Sequence, residues 1–284
     1  MAANGSSSPV SRKRHWLFDL APLAACFALL FAISFLPPDT SRAEVDRLGR
    51  LSVCMPANYP PLVTGNADAP GFEVELVRAI AERLGWRLNV VSNAAMGRDF
   101  NPRNWRINRA QCQMLAGGIA LNDTTRSFLE TSTPHLVTGW ALVAPAGVTI
   151  DTLESPVGFM AGLTGLDRIG LGQYLRQLGL TASIVNDAPA LRAGLEAGDF
   201  AAGITEGLLA AQTFADTGFE VTLLGPPLER FPLGMGFWKG DLTLKRAVEG
   251  ALADIRADGT MAALAERYDL NADVLCAPGQ EMCG

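Results

Sequence analysis

Residues 112–140 read CQMLAGGIALNDTTRSFLETSTPHLVTGW, and the rest of the chain is arranged around this stretch. Met114-Leu115-Ala116 is a short apolar run of the kind that forms a buried strand, and the strand is expected to break at Gly117-Gly118, where the backbone can approach another group closely. Asn122 or Asp123 then offers a side-chain oxygen to the unpaired amides of a short helix beginning near Thr124. That turn carries Arg126. A guanidinium beside free helix amides would be a good receptor for a carboxylate, because its planar fork of donors adds to the partial positive charge of the helix end. The competing reading is a solvated surface arginine, and the remaining sequence has to decide between the two.

Working outward, strand and helix patterns alternate on both sides. Leu51 to Cys54 is a short apolar strand, closed by the turn Ala57-Asn58-Tyr59-Pro60-Pro61, whose prolines stop both strand and helix. Gly71 to Leu84 has an amphipathic helical period, with Val74, Val77, Ala81 and Leu84 on one side and Leu76 and Ile80 beside them. Arg87 to Ser92 is the next strand. Trp105 to Ala110 is expected as a short helix, with Trp105 as an edge packing residue.

After the strand Thr138 to Ala144 the alternation repeats. It runs through strand Pro156 to Ala161, the glycine-bearing turn Gly162-Leu163-Thr164-Gly165, and helix Leu166 to Leu178. Strand Ala182 to Asn186, helix Ala188 to Ala197, strand Phe200 to Thr205, helix Leu208 to Phe214 and strand Glu220 to Leu224 follow. Two βαβαβ units in one chain imply an α/β protein with two mostly parallel sheets flanked by helices. Gly234 to Trp238 is one more strand, and Thr243 to Ala257 is a helix with Leu244, Ala247, Val248, Ala251, Leu252 and Ile255 on its apolar face. Met261 to Tyr268 forms a last short helix. Two connections, at Thr138 to Ala144 and Pro232 to Trp238, are expected to act as a hinge between two lobes, 44–138 plus 236–284 and 139–235. A cleft between such lobes is a natural small-molecule site.

The first 43 residues are read as a leader. Arg12-Lys13-Arg14 is followed by the apolar run Trp16 to Leu36 and by the small residues of Ser41-Arg42-Ala43, which predict export with cleavage after Ala43. The alternatives are an uncleaved membrane-spanning anchor, for which about 20 apolar residues suffice, and lipidation at Leu23-Ala24-Ala25-Cys26. The leader holds four of the chain's 23 basic and two of its 29 acidic residues, so the other 241 residues carry 19 against 27, a net of −8. Such an excess of acid offers no clustered basic face for nucleic acid. Cys54, Cys112, Cys276 and Cys283 remain after the leader. An even number in an exported chain suggests two disulfides. Cys276 with Cys283 would staple the tail locally, and Cys54 with Cys112 would tie strands far apart in sequence or else be two buried thiols. No CxxC or histidine cluster points to a metal, and nothing calls for a cofactor.

Four stretches together resemble the family 3 extracellular solute-binding proteins of amino-acid ABC transporters, which have the two-lobed type 2 periplasmic binding fold. Asn58-Tyr59-Pro60-Pro61 is similar to the family's first ligand loop, and Gly71-Phe72-Glu73-Val74-Glu75-Leu76 to its GFDVDL helix opening. Ala116-Gly117-Gly118 through Thr125-Arg126 is similar to its AGxTxTxxR segment, and Ala257-Asp258-Gly259-Thr260 to its ADGT. The resemblance implies a periplasmic, non-enzymatic receptor that captures a small carboxylate-bearing ligand, an amino acid or a related acid, for a permease of the inner membrane. It implies Arg126 on the ligand carboxylate with Gly117 and Thr125 in the same segment, backbone donors from Thr164 and Gly165, Glu206 on the ligand ammonium, and Tyr59 as an aromatic wall. The chain departs from the family pattern in a loop about two residues longer before Arg126, in Leu163 where a polar residue is usual, and in glutamate for aspartate at Glu206.

Two other functions share this fold. A subgroup serves periplasmic quinoprotein alcohol dehydrogenases and often has cysteines placed as Cys54 and Cys112 are. A dehydratase would need an acid or histidine in the cleft. Glu206 and Glu73 are the carboxylates that could lie there, with Glu73 expected to serve the start of its own helix. His135 is read as a lone structural histidine.

Overall fold

The computed structural model describes residues 21–31, 38–96, 102–153, 156–162, 166–270 and 274–275. The chain up to Asp39 is one compact unit and the chain from Thr40 another. In the first, residues 21–31 are helical with exposed side chains. Among the described residues no helix is long and apolar enough to cross a membrane. The basic start of the leader and the end of its apolar run lie outside the described residues, as do Cys276 and Cys283.

The second unit opens with α1 (Ser41–Leu48) and proceeds through β1 (Arg50–Pro56), α2 (Phe72–Arg83), β2 (Arg87–Asn93), β3 (Met114–Ala120), α3 (Asp123–Phe128), β4 (Leu129–Thr131) and β5 (Leu136–Thr138). It continues with β6 (Trp140–Pro145), β7 (Val157–Met160), α4 (Arg168–Gln177), β8 (Ala182–Val185), α5 (Ala188–Ala197), β9 (Ala202–Glu206), α6 (Gly207–Phe214) and β10 (Phe219–Leu223). It ends with β11 (Phe231–Trp238), α7 (Leu242–Ala257) and α8 (Thr260–Arg267).

The strands form two sheets, one in each lobe. The first has the order β2-β1-β3-β11-β4, with β5 also on β11, and the second β10-β6-β9-β7-β8. In each, three strands are parallel: β1 pairs with β2 and β3, and β7 with β8 and β9. The second sheet takes its three from the expected βαβαβ unit, whereas in the first, among the described residues, only the β1–β2 crossover is an α-helix, a 3₁₀ turn standing between β2 and β3. Antiparallel strands complete them, β11 against β3, β4 and β5, and β6 against β9 and β10. β3 is buried along its whole length, which is why it reads as a continuous apolar run. Helix α2 buries Val74, Leu76, Val77, Ile80 and Ala81, and α7 buries the six apolar residues its period marks. Each of the Val, Leu and Ile side chains among them contributes about 1.5–3 kcal/mol when withdrawn from water.

The motif residues act structurally as well. A Cβ on Gly71 would lie 2.4 Å from the Leu62 carbonyl oxygen, and its φ of +113° suits only glycine. Glu75 takes hydrogen bonds from Arg267 (2.5 Å) and the Tyr268 hydroxyl (2.9 Å), clasping α2 to the end of α8. Asp258, which ends α7, accepts from the Thr260 amide at 3.0 Å at the turn into α8. The Thr260 contacts, with Arg83 alongside, hold the Asp258 carboxyl down at about 2.

Cys54 and Cys112 form a disulfide, Cα–Cα 5.6 Å. It sits in a small core on the far face of the first sheet with Met96, Trp105, Leu115, Ile119 and Leu129. Trp105 is therefore a packing residue, as expected. The helix expected over Trp105 to Ala110 is instead a single 3₁₀ turn at Pro102–Trp105, ended by Arg106 at a positive φ of 54° that no helix continues through.

Two expectations about the organising stretch are corrected. β3 does not break at the glycine pair but runs through it to Ala120. What breaks is its ladder with β11: Leu115 faces Gly236 and Ile119 faces Gly234, so three residues of β3 oppose Met235 alone. Such a bulge turns backbone groups out of the ladder. Arg126 is not beside free helix amides either. Asn122 caps α3, its side chain accepting from the Thr125 amide, but the helix is only six residues long and Arg126 lies in its last turn.

Candidate functional site

The bulge determines the chemistry at the centre of the first lobe. Gly117 and Gly118 have φ of +96° and +88°, and a Cβ on Gly117 would strike the Pro56 ring. Their amides, released from the ladder, both donate to Glu73 Oε2, the Gly118 bond being 2.7 Å long. The other oxygen, Oε1, is 2.5 Å from His135 Nε2, and both side chains are fully buried. The His135 ring also stacks on Phe72, centroids 6.5 Å apart. Glu73 thus does not serve the start of its own helix, and His135 is not a lone residue. Together they fill the polar vacancy that the bulge creates, since a buried amide needs an acceptor. His135 Nδ1 has no hydrogen-bond partner among the described residues.

Glu206 is the second buried carboxylate. It ends β9 and caps α6, accepting from the Leu208 and Leu209 amides at 2.9 Å each. Thr138, at the crossing between the lobes, donates to Oε1. The Tyr59 hydroxyl, from the loop after β1, donates to Oε2 at 2.9 Å. Tyr59 therefore reaches from the first lobe to the second, and Glu206 holds four donors with no exposed surface. Burial pushes the Glu206 carboxyl up from its ordinary value, and the hydrogen bonds from Thr138, Leu208, Leu209 and Tyr59 counter only part of this.

A stability trend follows. The folded protein holds the Glu206 proton more tightly than the unfolded chain, so this group's contribution is fully present below the ordinary glutamate range and is lost as pH rises through the folded value. The unfolding free energy of the native protein minus that of Glu206→Gln, by urea titration across pH 4 to 8, is expected to fall with rising pH. A difference that rises, or stays flat, would contradict the assignment.

Arg126 is exposed, and its guanidinium has no hydrogen bond or ion pair among the described residues. It faces a cavity of about 580 Å³ bounded by Leu121, Asn122 and Asp123 on one side and by the crossing segment Pro226 to Pro232 on the other. Tyr59 lines a separate cavity of about 470 Å³ with Asn58 and Pro60 against Pro189, Arg192 and Leu209 of the second lobe. The arrangement does not bring all the expected site residues to one pocket. Arg126 is free at one cavity, Tyr59 and Glu206 are bonded to each other, and the Gly117 amide is taken by Glu73. Thr125 is on α3 with its side chain buried, and Thr164 and Gly165 lie outside the described residues. Neighbouring Gly162 packs so closely on Glu206 that a Cβ would lie 2.6 Å from the Glu206 Cβ. Sequence reasoning missed the Glu73–His135 pair, Thr138 and the crossing segment. For Glu73 a signal was present, because an acid flanked by the apolar Phe72 and Val74 in a helix's first turn has to find donors inside the protein. Among the described residues no three His, Cys, Asp or Glu side chains converge to hold a metal ion.

Two α/β lobes joined by two crossings, with cavities lined from both, define a solute-binding architecture. Residues 51–271 match the bacterial extracellular solute-binding proteins, family 3, and the chain belongs to that family. It is 26% identical over 246 residues to the L-cystine-binding protein TcyJ of Escherichia coli (strain K12), across 81% of this chain and 86% of that protein. Solved structures share the fold. An ancestral cationic amino-acid solute-binding protein superposes with TM-score 0.66 at 18% identity, covering 80% of this chain and 98% of its own. A substrate-binding protein of an ABC uptake transporter from Streptococcus pneumoniae, with bound histidine, superposes with TM-score 0.66 at 15% identity, covering 84% and 99%.

Proposed function

We propose that this solute-binding protein is exported to the periplasm and there captures an amino acid or a related small carboxylic acid between its lobes, for delivery to an ABC permease of the inner membrane. The observation that carries the reading is Arg126, an unpaired guanidinium at the wall of a 580 Å³ cavity, a volume suited to a small ligand. Arg126 takes the ligand carboxylate, with Thr164 and Gly165 adding backbone donors from the second lobe. A ligand ammonium reaches Glu206 by replacing the Tyr59 hydroxyl at Oε2. The lobes, expected as 44–138 plus 236–284 and 139–235, move about the two crossings between the sheets, which precede β6 and β11. Amino-acid ligands named for the similar proteins support this choice of ligand class.

Binding without turnover is the reading the buried groups favour. A general acid must reach the substrate, and Glu73 and His135 are each about 1% exposed or less and bonded to each other, while Glu206 is engaged by the ligand ammonium. Incubation with prephenate is expected to give no product, and measurable dehydration would overturn this part.

In a thermal-shift screen of amino and dicarboxylic acids, a cognate ligand at about 100 times its Kd stabilises by roughly 2.7 kcal/mol. Losing a charged hydrogen-bonded contact of about 2 kcal/mol in Arg126→Ala should leave less than about 1 kcal/mol of that shift. A hit that survives the substitution unchanged would remove Arg126 from the site. One observation favours the second reading, an accessory to a quinoprotein dehydrogenase: Glu206 and the Gly117 and Gly118 amides are all satisfied internally. Copurification of a quinoprotein together with an empty ligand screen would support it.

A further inference from the structure

We propose that Ser41 belongs to the folded protein and that any processing of the leader falls at or before Thr40, not after Ala43. Helix α7 is 16 residues long and its first-turn amides need acceptors. Its N-cap residue, Asp241, makes no side-chain capping bond; its carboxylate lies instead 2.8 Å from the Arg109 guanidinium. The acceptor comes from Ser41. Its hydroxyl takes the buried Leu244 amide, the third residue of α7, at 3.2 Å. Ser41 is 8% exposed, its hydroxyl lies 3.0 Å from that of Thr243, and the Arg42 amide donates to the same Thr243 oxygen at 3.3 Å.

The surrounding contacts fix α1 in place. The Thr40 carbonyl accepts the Glu44 amide at 2.9 Å, closing the first turn. Val45 is fully buried in the main core, and Trp86 Nε1 donates to Asp46 at 2.8 Å. A cut after Ala43 would remove the first three residues of this helix, the Thr40 carbonyl that closes it, and the acceptor of the Leu244 amide. A buried donor left without its acceptor is destabilising. The sequence Ser41-Arg42-Ala43 satisfies the small-residue requirement of a cleavage site, but the fold gives it a different task.

The test is N-terminal sequencing and intact-mass analysis of the protein after export, starting from the full chain. A terminus at Ser41 or any earlier position, including an unprocessed Met1 or an acylated Cys26, is the expected result. A terminus at Arg42 or later would overturn the proposal. As a second measurement, Ser41→Ala in the full chain is expected to speed hydrogen exchange of the Leu244 amide at least 10-fold while leaving Ala251, two turns further along α7, unchanged. An unchanged Leu244 rate would remove the capping role on which the proposal stands.

Discussion

Glu73→Ala is expected to lose about 3–5 kcal/mol of stability and to melt on the order of 10 °C below the native protein. Three groups depend on this carboxylate: the Gly117 amide, the Gly118 amide and His135 Nε2. None can turn to water, because the acid and the imidazole are both fully buried. The bulge cannot return the amides to the ladder either, since β11 offers Met235 alone against three residues. Glu73→Gln retains the shape and one acceptor oxygen and should lose less. Differential scanning calorimetry of both variants checks the ranking. A Glu73→Ala protein within 2 °C of the native melting temperature would show that the bulge is held by something else.

Opening the Cys54–Cys112 disulfide is expected to lower stability by a comparable amount. The cysteines are 58 residues apart, and freeing a loop of that size raises the entropy of the unfolded chain by the equivalent of about 4 kcal/mol. The bridge joins β1 to the start of β3, neighbours in the first sheet, under a core that includes Trp105 and Leu129. Urea unfolding of the double variant Cys54→Ala/Cys112→Ala should show the loss, with part of it from the vacated packing space. A change below about 1 kcal/mol would mean that the unfolded chain is already constrained there.

The parts of this fold that were legible in the sequence are those whose signal is local. The six apolar positions of α7 and the α2 face recur at helical spacing within one element, and each meets the core through that one face. Asn122 caps α3 because its side chain needs only an amide three residues on. The relations across long separations were not legible. Glu73 meets Gly117 and Gly118 only because a bulge places them opposite it, and the bulge depends on the register of β11, more than a hundred residues later. The Tyr59–Glu206 bond spans 147 residues and depends on how the lobes meet. Helix α1 is short and polar, so nothing periodic separates it from the leader, and its docking on α7 runs through Ser41, the Arg42 amide and the buried Val45. Arg126 stands between these cases: its helix was legible, but its place in the last turn and its cavity partner, the crossing segment Pro226 to Pro232, were not.

The proposed function depends most on a carboxylate received at Arg126. Calorimetric titration of the native protein and of Arg126→Ala with a panel of amino acids, L-cystine, arginine and histidine among them, tests it most directly. At least one micromolar ligand is expected for the native protein, with an affinity about 30-fold weaker for the variant, the equivalent of a charged hydrogen-bonded contact of about 2 kcal/mol. Equal affinities in the two proteins, or no ligand in the panel for the native one, would contradict it.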